Sequence, residues 1–259
     1  MTNESIPASE STPTVVASVG RRPQRLGDVL RGLQAKCTNA VELSLDGANE
    51  NVLGESYVFA SDLEAWRNAI NESPEAGLLA TAATEYVVAM LNVCQGQYRN
   101  GFKGLRLVLE LCLQSTYLSA NLLLREEWIR GEKDTVWATL MDEENGPLSL
   151  RFCKAFFPEL GGHTGHFREL ARTIYRELSE CIHGNVPNHI PLPSKLDFSQ
   201  ETFNLWHKKA EIVRLVVQFA FSVRYLRNLP ADKRREIEPV LIEQLGHISA
   251  IRTECSTNG

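Results

Sequence analysis

An all-α bundle is the fold class this sequence specifies, and three observations lead to it. Apolar residues recur at three- and four-residue spacings through most of the chain, which is the period of a helix with one buried face. No stretch alternates apolar and polar residues as a half-buried strand does. The 259 residues are 43% hydrophobic, ample for a core, and no repeat at a period of about 20 to 50 residues suggests a solenoid instead. Short additional helices at both ends complete a bundle of this kind.

In chain order, residues 1 to 24 are rich in Ser, Thr, Pro and Glu and poor in large apolar groups, the composition of a disordered tail. Arg21, Arg22 and Arg25 form a small basic cluster where the first helix begins. That helix runs from Leu26 to about Leu45 on Leu26, Val29, Leu30, Leu33 and Val41, and the Asp46-Gly47 turn pair ends it. Tyr57 to Ala60 is strand-like, and Ser61-Asp62-Leu63-Glu64 then reads as a capping box opening a short helix through Trp66 and Ile70. Ser73-Pro74-Glu75 starts a central helix over the apolar run Leu78 to Val93. After Gln95-Gly96-Gln97, Tyr98, Phe102, Leu105, Leu109, Leu113 and Thr116 share one face of a long helix that continues through Leu122. Arg106 and Glu110 sit one turn apart on its edge, placed for a helix ion pair or for orienting other polar groups. From Gly131 to His166 the pattern weakens into an elaborated connection with its own small core around Trp137, Leu140, Met141, Phe152 and Phe156. His163 and His166 with Cys153 match no standard zinc spacing, so no metal site is expected. Val186 to Pro193 holds three prolines and reads as an extended loop. A long helix from about Ser199 to Leu229 follows, then a final one from Ala231 onward.

The net charge of −5 argues against a protein that coats nucleic acid, although a local basic groove is compatible with it. Six cysteines lie far apart at positions 37, 94, 112, 153, 181 and 255, as reduced core residues of a cytoplasmic protein would. No secretory signal is expected at the polar N-terminus, and no membrane span, because arginines and Gln218 interrupt Ile212 to Leu226, the most apolar stretch in this reading.

One segment combines a core face with a chemical face: Phe167 to Asn185, FRELARTIYRELSECIHGN. On a helical wheel Ala171, Ile174, Tyr175, Leu178 and Ile182 form the core stripe. Arg172, Arg176, Ser179 and His183 stack on its flank, because residues three, four and seven apart lie over one another. Gly184 and Pro187 end the helix, which leaves His183 in the last turn, at the negative end of the helix dipole, where an imidazole protonates more readily. The chain carries no phosphate-binding glycine loop, nucleophile elbow, strand-end carboxylate pair or Cys-His zinc ladder.

The order YRNGFKGLRLVLELCLQ, a long insertion, YRELSECIHGN, a proline-rich loop and a long apolar helix resembles the HEPN superfamily of helical bundles. It looks closest to bacterial members tied to toxin-antitoxin and phage-defence systems, and the resemblance covers about Gly77 to Leu229. It implies a HEPN-like bundle over 75–229, an N-terminal helical extension over 25–74, and a C-terminal helix and tail over 230–259. Active members are metal-independent RNA endonucleases that act as dimers, with Arg, four to six residues, then His as their motif. Arg176 and His183 match it at the longest spacing, and Glu177 stands where the family commonly has Asn, Asp or His.

The resemblance implies RNA as substrate, a homodimer, a partner protein from the same defence operon, no cofactor and no membrane. His183 would act as general base on the ribose 2′-hydroxyl or as acid to the leaving 5′-oxygen. Arg176 would stabilise the developing phosphoryl charge, with Arg172, Ser179 and Asn185 positioning the phosphate. The rival reading is a non-catalytic sensor, dimerisation or partner-binding module. There Tyr175, Ser179, His183 and Asn185 form a hydrogen-bonded helix terminus that Arg106 and Glu110 help to satisfy.

Overall fold

The computed structural model describes residues 25–183, 192–193 and 195–256. The tail over 1–24, the caps at Gly184 and Pro187 and most of the proline-rich loop lie outside the described residues. Among the described residues the chain is all-α, with no strand and eleven α-helices packed as a bundle.

The helices are α1 (Leu26–Ser44), α2 (Ala48–Ala69), α3 (Ala76–Cys94), α4 (Tyr98–Ala120), α5 (Leu122–Ile129), α6 (Trp137–Leu140), α7 (Leu150–Phe156), α8 (Thr164–His183), α9 (Gln200–Tyr225), α10 (Ala231–Leu245) and α11 (Ser249–Ser256), with 3-10 turns at Pro158–His163 and Leu226–Asn228. Helix α4 packs against α3, α9 and α8, while α2 covers α3, and α10 rests on α2 and α9. The turn pair before α2 does its work through Gly47, whose φ of 55° is the left-handed conformation that glycine adopts without strain. Gly96 combines a φ of 72° with an approach so close that a Cβ would lie 2.7 Å from the Asp197 carbonyl oxygen. Ser199 caps α9 by accepting from the Thr202 N–H at 3.3 Å. All six cysteines are free and buried.

Four expectations are corrected. Tyr57 to Ala60 is helix, and Ser61 starts nothing: α2 runs unbroken because Phe59, Leu63, Trp66 and Ile70 keep helical spacing and are all buried, and this tertiary packing overrides the strand propensity of Tyr57-Val58-Phe59. The helix expected through Leu122 ends at Ala120, with Asn121 at φ −117°, ψ 74° between α4 and α5. The final helix is two, α10 and α11. The most apolar long helix is α3, the one described helix long and apolar enough to cross a membrane by length and composition; its most apolar window is 39% buried, against α2 and α4.

A buried polar network fastens α2 to α9. Trp66 Nε1 donates to Gln218 Oε1 at 2.7 Å, and Gln218 Nε2 and Arg214 Nε both donate to Asp62 Oδ2, at 3.3 and 2.6 Å. Arg214 also grips Glu243 of α10 through both terminal nitrogens. Burial pushes the Asp62 carboxyl above its ordinary range, against the pull of Arg214. Two turns before Arg214 on α9, Ser56 Oγ and His207 Nδ1 lie 2.6 Å apart, and Tyr86 OH donates to the Ser56 carbonyl at 2.9 Å. Buried groups of this kind cost free energy unless paired, so each bond holds the helices in register.

Two outcomes follow from this packing. Burial lowers the His207 pKa from 6.5 to about 4, so the native state keeps a neutral imidazole where the unfolded chain has taken up a proton. As pH falls from about 6.5 towards 4, wild type loses on the order of 3 kcal/mol of stability through this residue. Urea titrations across that range, compared with His207→Gln, should show a shallower acid slope in the variant. At the α3–α4 crossing, a methyl on Gly104 would lie 2.6 Å from Ala89 Cβ. Gly104→Ala should therefore destabilise by about 1–3 kcal/mol in spite of its better helix propensity, read as a lower Tm.

Candidate functional site

Helix α8 presents one face to the core and a flank of polar groups beside it. Phe167, Ala171, Ile174, Leu178 and Cys181 are buried, whereas Tyr175 and Ile182 are only partly so. The core stripe is thus rotated slightly from the sequence reading, towards Phe167 and Cys181, because Phe167 stacks face to face on Phe219 of α9 at 3.8 Å.

Arg176 projects outward, with its side chain 71% exposed and its Nε 3.9 Å from Glu180. Its neighbour Glu177 points another way: Lys209 of α9, nearly buried, donates to Glu177 Oε2 at 2.5 Å. The acidic residue after the motif arginine is therefore neutralised against α9. Arg172 donates to Glu143 Oε1 and to the Met141 carbonyl, each at 3.1 Å, and Arg168 reaches the same Glu143. These two arginines, one turn apart, clasp the turn after α6. Ser179 Oγ donates to the Tyr175 carbonyl at 2.7 Å. His183 is placed as the last residue of α8; its side chain and the whole of Asn185 lie outside the described residues.

The structure brings Arg106, Glu110 and Tyr175 together. Arg106 Nε donates to Glu110 at 3.1 Å, its Nη2 donates to Tyr175 OH at 2.6 Å, and its guanidinium stands 4.5 Å from the tyrosine ring centroid. Trp137 of α6 covers the other side, stacked at 3.7 Å with an interplanar angle of 6°. Burial and the nearby Glu110 carboxylate push the Tyr175 hydroxyl pKa up.

Arg99 was missed by the sequence reading. It donates to the Ile182 carbonyl in the last turn of α8, and so brings a cation to the negative end of that helix. The signal was present, since Arg99 precedes Arg106 by seven residues and lies on the same side of α4. The two arginines meet α8 at Ile182 and Tyr175, also seven apart, the signature of an antiparallel pair in register. No group of three or more His, Cys, Asp or Glu side chains among the described residues is arranged to hold a metal ion.

The chain matches no family model, no curated protein and no solved structure. The all-helical architecture stands on the structure alone, and what the HEPN resemblance implies about activity is taken up as a proposal.

The cluster around Tyr175 predicts a graded response. Tyr175→Phe keeps the stack on Trp137 but loses the bond from Arg106 and should lower stability by about 1 kcal/mol. Trp137→Ala, which keeps that bond but removes the stacked indole, should cost more. Urea unfolding with an unchanged m-value would report both.

Proposed function

We propose that this chain is a metal-independent RNA endonuclease of the HEPN type, working as a homodimer in bacterial toxin or phage-defence biology. The observation that carries the reading is Arg176: an exposed guanidinium on the helix that ends at His183, with Glu177 turned away onto Lys209. In this reading His183 takes the proton from the ribose 2′-hydroxyl, or returns one to the leaving 5′-oxygen. Arg176 grips the phosphoryl oxygens as negative charge builds on them. Arg99 adds a second cation at the same helix end, and Ser179 donates to a phosphate oxygen by turning its hydroxyl from the Tyr175 carbonyl. Arg172, engaged with Glu143 and the Met141 carbonyl, acts by holding the α6 turn in place unless substrate draws it away. Dependence on the 2′-hydroxyl confines cleavage to RNA.

A second reading, a non-catalytic interaction module, is favoured by the Arg106–Tyr175–Glu110 cluster, whose polar groups are bonded to one another.

Cleavage of a labelled single-stranded RNA by purified protein in EDTA separates the two. Under the nuclease reading, products end in 2′,3′-cyclic phosphate. His183→Ala lowers the rate by on the order of 10²–10⁴ and Arg176→Ala by a comparable factor, with unfolding midpoints unchanged. If wild type leaves all RNAs intact and the variants lose stability instead, the polar flank is structural and the second reading stands.

A further inference from the structure

A cavity of about 630 Å³ opens between α2, α9 and α10, directly over the buried network and on elements other than the α8 flank. Its size is that of a small-molecule site, which ranges over about 300–1,000 Å³. Val52, Val58, Phe59 and Ala210 give it apolar walls. Its polar lining includes Ser56 and His207, paired at 2.6 Å, and His207 is only 5% exposed with no partner for its Nε2 among the described residues.

The charges on the lining are unequal. Arg214 and Glu243 neutralise each other, and Arg214 is held from behind by Asp62. The remaining charged groups are Glu55 on α2, Glu211 on α9 and Lys208 beside it, and neither carboxylate has an ion-pair partner among the described residues. Two free carboxylates face one free ammonium, while burial keeps His207 neutral at pH 7. An anion entering the cavity meets net repulsion, and a cation meets net attraction. Ser56 adds an acceptor: whichever tautomer His207 adopts, the serine oxygen keeps at least one lone pair for a donor in the cavity.

The Ser56–His207 pair does not make the cavity a hydrolase. Ser56 lies inside α2, where backbone N–H groups are already bonded to carbonyls one turn back, so no oxyanion hole is at hand. The Nε2 of His207 has no carboxylate to orient it.

We infer that this cavity binds a small organic cation, an amine on an apolar body, with its ammonium between Glu55, Glu211 and Ser56. The inference is independent of the RNA cleavage reading.

Three probes of one shape and different charge test it on the full chain: tryptamine, the neutral alcohol tryptophol and the anion indole-3-propionate, titrated by calorimetry and followed by NMR at the His207 ring. Tryptamine should bind saturably and shift the His207 resonances, with the alcohol and the anion weaker by about tenfold or more, the factor a charge-assisted contact supplies. The double variant Glu55→Gln, Glu211→Gln changes exposed residues and should fold as wild type, yet lose about tenfold in tryptamine affinity. Equal binding of all three probes, tighter binding of the anion, an unchanged double variant, or no saturable tryptamine binding below about 10 mM would each overturn the inference.

Discussion

The bundle depends on how closely α3 and α4 approach. At Gly101 a side chain would run into Val93, and at Gly104 into Ala89, so two missing side chains set the distance between these helices. With α3 seated, the other faces of α4 are free to receive α8 and α9, and the core gathers around Phe102, Leu105, Leu109 and Leu113. Everything placed by α8, Arg176 included, is therefore positioned at second hand by a contact on the far side of α4. The arginines of α4 carry that placement outward, since Arg99 and Arg106 each reach across to α8.

Much of this was legible in the sequence wherever structure is local. Helical periodicity marks α1, α3, α8 and α9 with limits close to those observed, and Asp46-Gly47 and Gln95-Gly96-Gln97 mark real breaks because glycine alone tolerates the conformation there. The Arg106–Glu110 pair, one turn apart, follows from spacing alone. Reading fails where the deciding contact is distant. Ser61-Asp62-Leu63-Glu64 imitates a capping box, but Asp62 is polar because Arg214 needs a buried carboxylate, a fact stored 152 positions away. His207 drew no notice for the same reason, its partner being Ser56 on another helix. Spacing places Arg172 on the α8 flank but does not show its bonds to Glu143 and Met141, which lie in the stretch whose pattern is weakest.

The molecule separates its two chemical regions by element. The α8 flank carries Arg99 and Arg106 from α4 and Arg172 and Arg176 of its own, with Glu110, Glu143 and Glu180 beside the last three. The α2–α9–α10 cavity is acidic at its lining and floored by neutral or mutually cancelled groups. Helix α9 alone touches both, giving Lys209 to Glu177 on one side and His207 and Arg214 to the cavity on the other.

The network between α2 and α9 also bears on when the fold can be completed during synthesis. Its bonds join residues 151, 152 and 156 positions apart, so the Ser56 hydroxyl, the Asp62 carboxylate and the Trp66 indole lack these partners until α9 has been synthesised. At about 5–20 residues per second, that interval is several seconds to half a minute. During it α2 carries Asp62 and the Trp66 indole on the same face as Phe59 and Leu63, a surface that water must satisfy and that hydrophobic collapse cannot close cleanly. The N-terminal layer of this protein is therefore translated early and completed late, and a nascent chain halted before Arg214 presents that face of α2 to whatever meets it on the ribosome.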